Sequence, residues 1–205
     1  SRKLPLHFSS PEVPGRFSVF SIVGLLPLAA AGFPVEKILA GAQKVQFSDA
    51  YDFACRQYLH YRENRRIAAL FLYSEKLQAF GEWYSQLLAE SIGKTATIGI
   101  SPLTAIGTKD QHSKLQLFLD GPDDKFYLLI KPIKSGADFR LCPTFGTLQK
   151  VFNAEYEGTK KAFEIRKRPL CEIKIASLSP SSLGELMYLM ELSVAFLGML
   201  FGIDF

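Results

Sequence analysis

The stretch Ile67–Lys94, IAALFLYSEKLQAFGEWYSQLLAESIGK, decides how the chain is read. Its first seven residues are continuously apolar rather than alternating, the pattern of a strand buried on both faces. From Ser74 or Glu75 the pattern turns helical and holds to about Ser91, before Gly93 stops it. The same alternation continues outward from here. Thr97–Ile100 reads as a second strand, with Ser101-Pro102 turning the chain. Asp110 is placed to cap a helix through Leu119, which Gly121-Pro122 breaks. Lys125–Ile130 is a third strand, Thr147 to about Lys167 a helix, and Cys171–Ala176 a fourth strand. Ser182-Leu183-Gly184-Glu185 has the form of a capping box opening the last helix. Strand, helix, strand, helix predicts an α/β domain whose mostly parallel sheet carries helices on both faces. In such sheets ligands gather at the carboxyl ends of the strands.

Composition sets the outer bounds. A hydrophobic share of 48% in 205 residues supports a real core and excludes a disordered chain. A net charge of +4 suits an anionic small molecule and falls short of the concentrated basic footprint of a nucleic-acid binder. Cys55, Cys142 and Cys171 are scattered and odd in number, so neither a disulfide framework nor a zinc site is indicated. His7, His60 and His112 are too far apart for a local metal motif. No repeat, low-complexity linker or charge block divides the chain, so residues 1–205 read as one domain.

Two apolar runs call for a membrane test. Ser18–Val35 holds no charge, but Pro27, Pro34, Gly24 and Gly32 interrupt it, so a buried helix of a layered domain is expected. Leu183–Ile203 is comparable, with Glu185 and Glu191 arguing against lipid. Arg2 and Lys3 run straight into Pro5 and His7, unlike a secretory signal, and a cytoplasmic chain with no membrane contact is expected.

Four constellations have chemical potential. Glu90 falls in the last turn of its helix, one turn after Gln86, where the negative helix pole disfavours an ionised carboxylate. Such a group suits base chemistry; the alternative is a solvated surface glutamate. Trp83, Gln86, Leu87 and Glu90 share one helix face, as the polar rim of a pocket or as an interface stripe. Arg16, in Pro14-Gly15-Arg16-Phe17-Ser18, precedes a helix, where a guanidinium and free amides together bind an anion, or where the arginine ties down a turn. His112, in Lys109-Asp110-Gln111-His112-Ser113-Lys114, sits in a first helical turn, whose positive pole favours the neutral imidazole that proton transfer needs; a plain surface histidine is the alternative. The basic groups Lys160, Lys161, Arg166, Lys167 and Arg168, and Arg62, Arg65 and Arg66, read as solvated helix ends without the interleaved aromatics of a nucleic-acid surface. No Walker A loop, GxGxxG, HExxH or GxSxG occurs.

In order along the chain, Gly15-Arg16-Phe17-Ser18 with Val23-Gly24-Leu25-Leu26-Pro27, Glu90-Ser91-Ile92-Gly93-Lys94, Thr108-Lys109-Asp110-Gln111-His112-Ser113, Glu157-Gly158-Thr159 and Phe196-Leu197-Gly198 through Gly202-Ile203 resemble the C-terminal half of phosphoglucose isomerase (glucose-6-phosphate isomerase). The resemblance implies the sugar-isomerase (SIS) fold, an αβα sandwich around a mostly parallel five-stranded sheet. It implies interconversion of glucose 6-phosphate and fructose 6-phosphate, in glycolysis and gluconeogenesis, with no metal or organic cofactor. Glu90 then matches the base that moves a proton between C1 and C2, and Arg16 the arginine that stabilises the enediolate. Gln86 matches a substrate-contacting glutamine. His112 matches the histidine that assists ring opening and reaches across a homodimer. The family's phosphate-gripping loop comes from a preceding SIS domain that nothing here matches, and its catalytic lysine lies beyond the segment matching Phe205. Pro14 stands where many relatives have glycine. A non-catalytic SIS module that binds a phosphosugar or a protein is the other expectation.

Overall fold

The computed structural model describes residues 13–134, 136, 138–144 and 146–204. The reading of Arg2, Lys3, Pro5 and His7 lies outside these residues. Among the described residues six strands and seven α-helices follow one another, with a 3-10 turn at Gly15–Phe17 and another at Glu75–Leu77. The strands are β1 (Ile67–Leu72), β2 (Ser101–Ile106), β3 (Lys125–Lys134), β4 (Arg140–Cys142), β5 (Gly146–Thr147) and β6 (Leu170–Ser177). The helices are α1 (Ile22–Ala30), α2 (Val35–Ala42), α3 (Phe47–Arg62), α4 (Gln78–Ile92), α5 (Lys109–Asp120), α6 (Leu148–Ile165) and α7 (Pro180–Phe201).

β1 and β3 lie side by side at the centre of a parallel sheet ordered β2-β1-β3-β6. Ile67 pairs with Ser101 on one side and Lys125 on the other. Because successive side chains point to opposite faces, Ala68, Leu70 and Leu72 join one core, while Ala69, Phe71 and Tyr73 join another. The first core is closed by α3, α4 and α7, and the second by Phe118 of α5 with Tyr156 and Phe163 of α6. This double coverage is why Ile67–Tyr73 reads as an unbroken apolar run.

The αβα layering agrees with expectation, and several details do not. The central sheet has four strands among the described residues, not five; β4 and β5 instead pair antiparallel with each other as a small ribbon. The second strand is Ser101–Ile106 rather than Thr97–Ile100, with Pro102 inside it. A proline lacks an amide to donate, and β2 tolerates it as an edge strand paired only to β1. The cap of α7 is Ser179, whose Oγ accepts from the Ser182 amide at 3.2 Å, with Pro180 at the first helical position. That places the cap three residues before the expected box.

The uncharged run Ser18–Val35 is not one buried helix. Ser21 caps α1, Gly32 adopts a left-handed φ of 81° after it, and Pro34 precedes α2. A residue before proline is driven out of the helical region, so the chain turns at Phe33-Pro34. No residue of α1 is buried, and Val23 and Phe33 are 54% and 56% exposed. α7, which has the length and hydropathy of a membrane-crossing helix, buries Leu186, Met190, Val194 and Leu197 in the first core.

α2 and α7 approach each other through glycines. A methyl group on Gly184 would sit 2.0 Å from the Ile38 carbonyl oxygen, and one on Gly41 1.9 Å from that of Ser181. Gly184→Ala therefore forces the two backbones apart and is expected to lower stability by about 2 kcal/mol, read as a lower midpoint of chemical unfolding. An unchanged midpoint would show that the helices separate at no cost.

Candidate active site

α4 returns antiparallel to β1, so Glu90 in its last turn arrives at the amino-terminal edge of the sheet. The Glu90 side chain is half exposed there. One turn earlier, Gln86 donates its Nε2 to Glu90 Oε2 at 3.2 Å, as the i, i+4 spacing allows. The other oxygen faces a residue 74 positions away: Arg16 Nη1 lies 3.3 Å from Glu90 Oε1. Arg16 is presented by the 3-10 turn Gly15–Phe17, which Ser18 closes by donating its hydroxyl to the Gly15 carbonyl at 2.6 Å. Its side chain is only 8% exposed, its guanidinium lies 5.6 Å from the Phe17 ring centroid, and its Nε donates to Ser91 Oγ at 2.8 Å. Ser91 is fully buried, so it is a fixed anchor. The result is a carboxylate with one side open to solvent and a cation held rigidly at its flank. Such a pair can take a proton and stabilise the oxyanion that its removal creates.

The remaining expected groups fall elsewhere. Leu87 points into the core at 0% exposure, and Trp83 packs on Phe80 at 5.6 Å against the same core. The four-residue stripe therefore splits, and only Gln86 and Glu90 form a polar rim. His112 is exposed in the first turn of α5, just past the carboxyl end of β2. Since β2 runs from the loop after Glu90 to the loop before His112, its six residues alone span about 20 Å. Within one chain the fold brings Arg16, Gln86 and Glu90 together and leaves His112 at the opposite edge. Asp110 does not cap α5 from outside, since it is the second helical residue and accepts the Ile106 amide at 2.7 Å. Burial pushes its carboxyl up, but the Ile106 amide, the Ser113 hydroxyl and the Lys114 ammonium outweigh that and hold it below its ordinary value.

Ser91 is the site residue that sequence reasoning missed. Its signal is a serine directly after the glutamate, in the final turn of a helix. The basic groups are largely engaged: Arg65 and Arg168 both meet Asp123, at 2.8 and 3.3 Å. Lys160 meets Glu172 at 3.1 Å, and the Arg66 guanidinium lies 5.0 Å from the Tyr61 ring centroid. Among the described residues, no three His, Cys, Asp or Glu side chains gather as a metal site would require.

A glucose-6-phosphate isomerase of Rubrobacter xylanophilus is 35% identical to the chain over 214 residues, covering 95% of this chain and 49% of that protein. This chain is homologous to the glucose-6-phosphate isomerases. A second such enzyme, from Methanocaldococcus jannaschii, is 34% identical over 222 residues, covering 96% of this chain and 53% of its own. The chain thus spans about half the length of the curated relatives it matches. Among solved structures, a hypothetical protein of Thermus thermophilus superposes with a TM-score of 0.81 at 32% identity, covering 94% of this chain and 51% of that one. A glucose-6-phosphate isomerase of Chlamydia trachomatis gives 0.76 at 22% identity, covering 93% and 43%, a likeness of fold. The fold is therefore that of the sugar isomerases. No family model matches the chain.

Proposed function

We propose that this chain is the base-carrying C-terminal half of an aldose–ketose isomerase that interconverts glucose 6-phosphate and fructose 6-phosphate. The observation that carries this reading is the Arg16–Glu90–Gln86 cluster in a chain homologous to enzymes of that name. Glu90 takes the proton from C2 of the open aldose and returns it to C1, while a proton moves between the two oxygens. No electron acceptor is needed, because the enediol is both product of the first transfer and substrate of the second. Arg16 stabilises the charge that appears on oxygen only in transit. Gln86 holds the carboxylate and contacts substrate. His112, remote from its own Glu90, opens the sugar ring in the site of a second copy, which makes the working unit a homodimer. The phosphate grip belongs to an amino-terminal SIS domain of the kind the relatives' length leaves room for. The reaction belongs to glycolysis and gluconeogenesis in the cytoplasm.

The test is a coupled assay of fructose 6-phosphate conversion, on this chain alone and with the amino-terminal half supplied. Activity on addition supports the reading; silence in both, with folded protein, favours a non-catalytic phosphosugar-binding module. Within this reading, Ser91→Ala leaves Arg16 Nε without its acceptor. Losing one hydrogen bond to a charged group corresponds to about a tenfold fall in kcat, with the unfolding midpoint little changed. A kcat equal to that of the parent would show that Phe17 and Glu90 alone position the guanidinium.

A further inference from the structure

Glu157-Gly158-Thr159 has no place in the proton-transfer cluster, yet it lies against the turn that carries His112. Gln111 Nε2 donates to Thr159 Oγ1 at 2.7 Å, to the Tyr73 hydroxyl at 3.0 Å and to the Glu155 carbonyl at 3.4 Å. Tyr73 is fully buried directly after β1, and its own amide donates to the Ile130 carbonyl at 2.8 Å. Thr159 is 5% exposed in the middle of α6. One glutamine amide thus bolts the first turn of α5 to the central strand and to α6. In the same turn, Asp110 accepts the Ile106 amide at 2.7 Å and the Ser113 hydroxyl at 2.7 Å, and pairs with Lys114 at 3.2 Å. Gly107 completes the fit, because a methyl group there would press within 2.8 Å of the Tyr73 ring. His112 follows Gln111 and precedes Ser113 and Lys114, the partners of Asp110, so its exposed side chain stands on a backbone held from both flanks.

We infer that Thr159 and Gln111 are positioning residues, which fix the α5 turn so that His112 is offered to a second copy of the chain in a set direction. This rests on the role proposed for His112. It also assigns the Glu157-Gly158-Thr159 segment a task in the reaction: its threonine hydroxyl accepts the shortest of the three contacts of the Gln111 amide, at 2.7 Å, which an apolar side chain would remove. An exposed histidine on a loose turn would sample many directions, and misplacement of a proton donor by an ångström is costly in rate.

The experiment compares Thr159→Val, Thr159→Ser, Gln111→Met and His112→Ala in whichever assembly shows isomerase activity. Each is read for kcat and KM, with the His112 imidazole followed by NMR and the unfolding midpoint recorded. Expected are a kcat about tenfold lower for Thr159→Val and Gln111→Met, KM within about twofold, a broadened or displaced His112 signal, and recovery in Thr159→Ser. If His112→Ala lowers kcat while the other two do not, the positioning role is overturned and the reading of His112 stands. If His112→Ala has no effect, it is the role of His112 that fails. A lower unfolding midpoint in Thr159→Val and Gln111→Met with kcat and the His112 signal unchanged would overturn the inference by making the bolt purely structural.

Discussion

Under the proposed function, Glu90→Gln is expected to reduce isomerisation by about a thousandfold and to leave sugar-phosphate binding within a few-fold of the parent. The substitution is isosteric and sits on a half-exposed side chain, so the fold has no reason to change. The amide oxygen still accepts from Arg16, whose place is set independently by Ser91 at 2.8 Å. What disappears is the ability to take a proton from carbon and give it back. The measurement is a pair: kcat in the coupled assay, and Kd for fructose 6-phosphate by calorimetry on the same preparation. A variant that binds but does not turn over assigns the base. A variant with parental kcat removes Glu90 from the chemistry and leaves the cluster as a binding feature. Loss of both binding and activity would place the carboxylate in substrate recognition instead.

How far the sequence foretold this site depends on the reach of each interaction. Gln86 and Glu90 are one turn apart, so helical spacing alone put them on one face, and the structure joins them at 3.2 Å. Arg16 lies 74 positions from Glu90; spacing could mark it as an anion site but not as the flank of that carboxylate. Ser91 was passed over because a serine at a helix end is ordinary, and only its full burial under Arg16 makes it an anchor. The central strand was legible because Ile67–Tyr73 is apolar on both faces. β2 was not, because its edge position admits Pro102 and lets Ser101 face outward. The run Ser18–Val35 misled in the opposite direction. Hydropathy records that residues are apolar, not that this chain buries them, and α1 leaves Ile22, Val23 and Leu26 exposed. His112 shows a further limit: its motif stands out in the sequence, yet only the fold reveals that it lies at the edge opposite Glu90.

Glu191 offers a test of stability that does not depend on the proposed reaction. It lies on α7 between Met190 and Val194 of the first core, is 6% exposed, and its Oε1 has no hydrogen-bond partner. Burial with nothing to compensate it pushes the carboxyl from an ordinary 4.5 up to about 8. The folded chain therefore holds this proton where the unfolded chain has lost it. Its contribution is fully present below about pH 4.5 and is lost progressively as pH rises to about 8, at about 1.4 kcal/mol per unit. At pH 7 the ionisable group costs about 3 kcal/mol relative to a side chain that stays neutral. Glu191→Gln keeps the shape and removes the titration, at the cost of an amide that must find partners of its own. The variant is expected to be more stable than the parent at pH 8 and equal or slightly weaker at pH 4.5, so their chemical-denaturation curves cross between those values. Because the carboxylates that pair or cap elsewhere, such as Asp110 and Asp123, titrate alike in both proteins, the difference between the two curves isolates Glu191. Parallel pH profiles would mean that water or a rearranged neighbour reaches Oε1, and that the buried acid is ionised in the folded chain.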